Sequence, residues 1–250
     1  MTGRGIFGGD AGSLAHIATP WIWPLAIATI TVGSFGAYAA PSLRLLTANM
    51  VIVSVGTLLV SFVINDGQSL SVGLFYLQLS TAAAGALFLI ADQVRVQRGP
   101  AQDRFVISRP MQQAGIHGSF FFMAAIAIIG LPPLSGFIGK ALLLNATVRF
   151  EEQLWVWPVL LASSLVALIA FSRAGTLIFW RPSGKKASAE KTRPTQILAI
   201  SILLTMTTLM TIFAGPLVAY SERAANDIQH STKLVQHKTQ SDRSTIHAPH

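Results

Sequence analysis

The sequence predicts an all-α membrane protein of about six crossing helices, and three observations carry that prediction. Six apolar runs are each long enough to cross a bilayer, which takes roughly 20 residues. Of the 250 residues, 52% are hydrophobic and only 11% charged, with a mean hydropathy of +0.55, whereas a soluble domain carries roughly a quarter charged residues. The runs lack a polar face, as in PLAIATITVGSFGAYAA and ILAISILLTMTTLMTIFAGPLVAY. A helix that is apolar all round belongs in a core or a membrane.

The crossings are placed at 21–40, 43–64, 69–91, 118–148, 155–180 and 195–219. Trp21 and Trp23 open the first, and Trp155, Trp157 and Trp180 bound the fifth, as interfacial aromatic anchors do. Residues 1–20 read as a loop-like N-terminal segment, Gly-rich and without the apolar region of a cleavable signal before Pro20. The six-helix domain is 21–219. Within it, residues 92–117 are polar, hold Pro100 and Pro110, and form a connection outside the membrane. Asp66 and Asp92 fall at helix ends and read as solvated caps or loop residues. Residues 220–250, rich in Ser, Thr, Gln and His, have the composition of a disordered tail.

Loop charge sets the orientation. One side carries Arg44, Arg95, Arg98, Arg104, Arg109, Arg181, Lys185, Lys186, Lys191 and Arg193, whereas the other carries Arg4 and Arg149 ahead of the tail. The positive-inside rule makes the first set cytoplasmic and turns both termini outward. The formal net charge of +8 is thus a topology signal, and no nucleic-acid partner is expected.

Several chemistries have no seat in the chain. There is no Cys, so thiol chemistry and Cys-ligated metals are excluded. His230, His237, His247 and His250 lie in the tail at irregular spacing, which reads as solvated chain and not as a metal site. There is no phosphate-binding Gly loop followed by Lys-Ser/Thr and no Ser/His/Asp arrangement. No His pair suited to haem stands within the predicted helices, His16 and His117 falling outside them. No cofactor is expected.

The fourth crossing is the informative one. It spans about thirty residues, or roughly 45 Å as one straight helix, against a hydrocarbon core of about 30 Å. Its middle reads Gly130-Leu131-Pro132-Pro133-Leu134-Ser135-Gly136. Neither Pro offers an N–H, and each ring clashes with the preceding turn, so the helix breaks at Gly130–Pro133, with Gly136 and Gly139 completing the hinge. Carbonyls freed at membrane depth must be buried in protein or face water, and broken helices often mark transport sites.

Lys140 follows the break among Phe137, Ile138, Leu142 and Leu143, roughly 13 Å inside the outer boundary counted back from Arg149. A central Lys costs on the order of 3 kcal/mol to insert. Snorkelling to the interface is the alternative, and the depth opposes it. Burial disfavours a charged amine, so a Lys held there can load and release a proton during a cycle. Arg173 interrupts the fifth crossing in VALIAFSRAGTLIFW. Arginine does not titrate in proteins, which leaves it to tune the potential at Lys140, to bind a carbonyl or carboxylate, or to snorkel.

At these residues the sequence resembles a known family. GLPPLSGFIGK (130–140) resembles the broken-helix signature of the antiporter-like membrane subunits of Mrp-type cation/proton antiporters and of NADH:quinone oxidoreductase. PSLRLLTANMVIVSVGTLL (41–59) is similar to the signature upstream of it, and 155–181 is most similar to the D subunits of the Mrp antiporters. The resemblance covers roughly 10–220. It implies a fold of about fourteen helices with two inverted five-helix repeats, of which these six look like the last. It implies that Lys140 serves an outer proton half-channel, that H⁺ is exchanged for Na⁺ or K⁺, and that the partners are other hydrophobic subunits in the lipid bilayer of a bacterial cytoplasmic (inner) membrane.

Two departures qualify what the resemblance implies. The first repeat with its Glu–Lys pair is absent, and MTGRGIFGGDAGSLAH resembles an internal loop, which points to a fragment, a split gene product or a remnant. The helix matching 70–91 often carries His or Lys at spacings of four in the family; here Tyr76, Ser80 and Ala84 occupy those spacings and Gln78 is the only strongly polar side chain. The expected function is a transporter subunit and not an enzyme: a subunit of a Na⁺ or K⁺/H⁺ antiporter, incomplete as a fragment. The alternatives are a proton-pumping subunit of a quinone oxidoreductase-type complex and a non-transporting structural remnant.

Overall fold

A computed structural model describes residues 15–64, 67–148, 153–180 and 194–224. The expectations for Arg4, Asp66, Arg149, the basic stretch 181–193 and the tail histidines His230, His237, His247 and His250 fall outside the described residues.

The chain folds as a bundle of α1 (Ala15–Ala39), α2 (Leu43–Ile64), α3 (Gly67–Arg98), α4 (Ala114–Ile129), α5 (Ser135–Thr147), α6 (Gln153–Gly175) and α7 (Pro194–Ile212). The fourth predicted crossing is α4 plus α5, two helices separated by the expected break. Five helices are long and apolar enough to cross a membrane, and α4 is a shorter apolar one. Among the described residues the one extended pairing is an isolated antiparallel bridge between Ser42 and Arg104.

Many hydroxyls in these helices turn back on their own backbone. Thr29, Thr31, Ser34, Thr47 and Thr57 each donate to the carbonyl four residues earlier, at 2.7–2.9 Å. A hydroxyl satisfied in this way adds no unmet polar group to a helix in lipid, which is why Ser- and Thr-rich runs still read as crossings.

α3 is central, packing against α2, α4, α5 and α7, while α1 packs against α2 and α6. In α3, 61% of the apolar window is buried, against 22% in α7. The main core joins Leu43, Leu46, Leu87, Ile90, Phe121 and Phe171. Phe121 stacks against Phe171 and Phe179 at centroid distances of 5.8 and 5.3 Å. Trp21, Trp155 and Trp180 are exposed near helix ends.

Five sequence expectations are corrected. The loop-like segment 1–20 gives way to helix at Ala15, where α1 begins, and the tail expected from 220 is still helical through 224. α3 does not stop at 91 but runs to Arg98, because Gln93, Gln97 and Arg98 are buried by partners from elsewhere in the chain. Asp92 is not a solvated cap: it lies inside α3, pairs with Arg44 at 2.8 Å and Arg95 at 3.1 Å, and accepts a hydrogen bond from Gln196 of α7. His16 and His117 do not fall outside the helices; the first lies in α1 and the second in the opening turn of α4. The His117 side chain is buried, and its Nδ1 donates to the Gln113 carbonyl at 3.1 Å.

Candidate functional site

The site is built where α4 stops. Gly130 takes a left-handed conformation, φ 81°, and its N–H and that of Leu131 both donate to the Ile126 carbonyl at 3.1 Å. This is a glycine C-terminal stop, which other residues adopt only with strain. A Cβ at Gly130 would also lie 2.8 Å from Lys140 Cδ. In a continuous helix the Ile129 carbonyl would accept from residue 133. Residue 133 is proline and has no N–H to give. The chain restarts at Leu134, which is extended, and α5 follows from Ser135.

α5 returns close beside the end of α4. A Cβ on Gly136 would overlap the Ala127 carbonyl oxygen, so only glycine fits there. This approach aims Lys140, one turn further on, back at the break. Its amine donates to the Ile129 carbonyl at 2.7 Å and to Ser164 Oγ of α6 at 2.8 Å, and the residue is 7% exposed. Ser164 in turn donates to the Leu160 carbonyl at 3.0 Å. Three helices thus meet on one amine. The arrangement offers a single ionisable group with two neutral oxygen acceptors, in a setting that excludes bulk water.

The other expected site residues divide. Gly130, Pro132, Pro133, Gly136 and Gly139 form or flank the break, and Pro132 and Pro133 are exposed. A Cβ at Gly139 would lie 3.1 Å from the Tyr76 ring, which seats α5 on α3. Tyr76 is buried, with its hydroxyl near Ser54 and Thr57 of α2. Ser80 and Ala84 are also buried, whereas Gln78 faces outward.

Arg173 is not brought to Lys140. It lies nine residues beyond Ser164 on α6, roughly 13.5 Å of axial rise. Its Nη2 donates to the Tyr38 and Ala40 carbonyls at 2.8 and 2.9 Å, and the guanidinium lies 5.8 and 5.6 Å from the Tyr38 and Phe105 ring centres. It caps the C-terminal end of α1, where carbonyls have no helical donor.

Ser164 was not singled out by sequence. Its one signal is the Ser163-Ser164 pair inside an otherwise apolar run. An apolar groove of about 670 Å³ runs along α4 to Pro133 and Leu134, with Phe179 and Trp180 on its far wall, and Lys140 does not line it. Among the described residues no group of three His, Asp or Glu is placed to hold a metal.

Residues 11–169 match the family described as NADH:quinone oxidoreductase/Mrp antiporter, transmembrane. The chain is 29% identical over 257 residues to the D subunit of a probable K(+)/H(+) antiporter of Rhizobium meliloti, covering 89% of this chain and 46% of that protein. It is 23% identical over 220 residues to the N subunit of the NADH-quinone oxidoreductase of Desulforamulus reducens, covering 88% of this chain and 45% of that protein. A chain of the Mrp complex from a Dietzia species superposes with a TM-score of 0.75 at 19% identity, covering 87% of this chain and 48% of that one, a likeness of fold. The chain spans about half the length of the relatives it matches.

Proposed function

The chain belongs to the NADH:quinone oxidoreductase/Mrp antiporter membrane family, and on that premise we propose that it contributes a proton half-channel, through Lys140, to a multisubunit Na⁺ or K⁺/H⁺ antiporter. The observation that carries the proposal is the buried Lys140 amine, held by the Ile129 carbonyl and Ser164 at the helix break. Both acceptors are neutral, and among the described residues no carboxylate pairs with it. Such a site tolerates either protonation state, as a carrier of protons requires. The break supports the same reading, because a helix that stops at membrane depth can shift its two halves against each other.

The partners in this reading are other hydrophobic subunits, and the setting is a bacterial cytoplasmic membrane with both termini outside. Arg173 adds a standing positive charge. Its guanidinium is turned to the Tyr38 and Ala40 carbonyls, so any effect on Lys140 is long-range, able to tune exchange without creating it.

The test is Lys140→Ala in the assembled complex, with cation-dependent proton movement followed by a pH-sensitive dye in vesicles. The expected result is loss of exchange with normal insertion of the chain; unchanged exchange overturns the proposal. A second reading, a proton-pumping subunit of a quinone oxidoreductase-type complex, is favoured by the likeness to the N subunit of such an enzyme. The same vesicles discriminate, since proton movement would then follow added NADH and not an imposed Na⁺ or K⁺ gradient.

A further inference from the structure

We propose that Arg104 and Arg109, with Val106 and Ile107 between them, form a binding site for the headgroup of an anionic phospholipid. The site lies on the connection between α3 and α4, and its backbone is fixed before any ligand arrives. Arg98 is 1% exposed, and its guanidinium donates to the carbonyls of Gln102, Arg104 and Val106. Asp103 holds the other flank: its carboxylate accepts from the Arg44 backbone N–H at 2.9 Å and its carbonyl from that of Leu43 at 3.0 Å. Phe105 N–H donates to the Pro41 carbonyl at 2.9 Å.

A backbone pinned on its inner side leaves the intervening side chains outward. Arg104 and Arg109 are exposed, and Val106 and Ile107 are 41% and 59% exposed. Charge is left over at this rim. Asp92 is committed to Arg44 and Arg95, and the Asp103 carboxylate is turned to the Arg44 backbone N–H. Among the described residues no carboxylate pairs with Arg104 or Arg109. Arg109 is oriented by its Nε, which donates to the Gln97 carbonyl at 2.9 Å, so its terminal N–H groups remain for an oxyanion.

Depth selects the occupant. From Ser69 to Arg98 α3 rises about 44 Å, close to the ~40–45 Å thickness of a bilayer with its headgroups. The connection therefore sits in the headgroup layer. Arginines meet phosphate oxygens through paired N–H groups, and Val106 and Ile107 suit the start of the acyl chains. A soluble acidic protein would match the charge but leave the two apolar side chains unused.

The experiment uses the full chain in neutral detergent, with phosphatidylglycerol, phosphatidylcholine and soluble glycerol phosphate as probes and native mass spectrometry as readout. The chain is expected to retain phosphatidylglycerol over phosphatidylcholine. R104Q/R109Q should bind phosphatidylglycerol roughly thirtyfold more weakly, and R104K/R109K should recover most of that loss. V106S/I107S should weaken the lipid while leaving glycerol phosphate unchanged. Circular dichroism checks folding, and if the double glutamine variant is unfolded, Arg104→Gln alone decides, because the fold uses only the backbone of that residue. Undiminished phosphatidylglycerol binding by the glutamine variant overturns the proposal. So does a variant that keeps the lipid but no longer co-purifies with a partner subunit, which would assign the rim to protein contact.

Discussion

Pro133 stands four residues after Ile129, at the position whose N–H would have closed the next turn of α4, and the carbonyl it leaves free is the one Lys140 takes at 2.7 Å. The break and the charge site are therefore one feature. Restoring donors with P132A/P133A gives the Ile129 carbonyl a competing backbone partner. A hydrogen bond to a charged group is worth about 1.5–3 kcal/mol, so proton exchange by the assembled complex should fall roughly tenfold or more. Dye measurements in vesicles, normalised to chain level, check this.

Ser164→Ala removes the second acceptor of the Lys140 amine. The expected outcome is a stability loss of about 1–3 kcal/mol and a partial loss of exchange, smaller than that of Lys140→Ala. Ser164→Thr, which keeps the hydroxyl, should restore most of both. Thermal unfolding in detergent, run alongside the exchange assay, separates the two effects.

Gly136→Ala drives a methyl into the Ala127 carbonyl oxygen. Overpacking of this kind costs about 1–3 kcal/mol, and here the obstacle is backbone that cannot rotate aside. Gly115→Ala is the matched control, since nothing lies within 4 Å of its Cβ position. The control should be neutral or stabilising by up to about 1 kcal/mol. Unfolding midpoints of the pair read the difference.

Arg98 and Asp92 sit six residues apart on α3 and should respond differently. Asp92 pairs with half-exposed arginines, and Asp92→Asn should cost about 1 kcal/mol or less. Arg98→Met strips three carbonyls of their donor, and unmet buried acceptors cost about 1–3 kcal/mol each. Comparable losses in thermal unfolding for the two variants would contradict this assignment.

Arg173→Met tests the tuning role. Removing a distant positive charge eases protonation of Lys140, so the pH midpoint of exchange should move upward by less than about one unit. Maximal exchange should be retained. A collapse of exchange at every pH would assign Arg173 to the transport path itself.

The crossings and the break were legible because each rests on local composition: apolar runs of bilayer length, and a Pro-Pro pair flanked by glycines. What remained hidden depended on distant partners. The continuation of α3 to Arg98 passes through Asp92, Gln93 and Gln97, which lower the hydropathy as a loop would. Gln93 is buried against Gln196, more than a hundred residues on, which also reaches the half-buried Asp92, and Gln97 is buried where the connection folds back on it. Ser164 looked like any serine in an apolar helix, because the amine that finds it comes from another helix. Arg173 takes the Tyr38 and Ala40 carbonyls, and nothing local to it in the sequence names those two residues as the source of the oxygens.

α4 has 16 residues and α5 has 13, which makes them about 24 and 20 Å long. Neither reaches across the ~30 Å of hydrocarbon alone. During biosynthesis the two must therefore be handed to the lipid together, as a single apolar stretch with the lysine already inside it. The insertion cost of that lysine, on the order of 3 kcal/mol, is shared by the greasy residues on both sides of the proline pair. A nascent chain halted at the kink would offer the insertion machinery an element too short to keep.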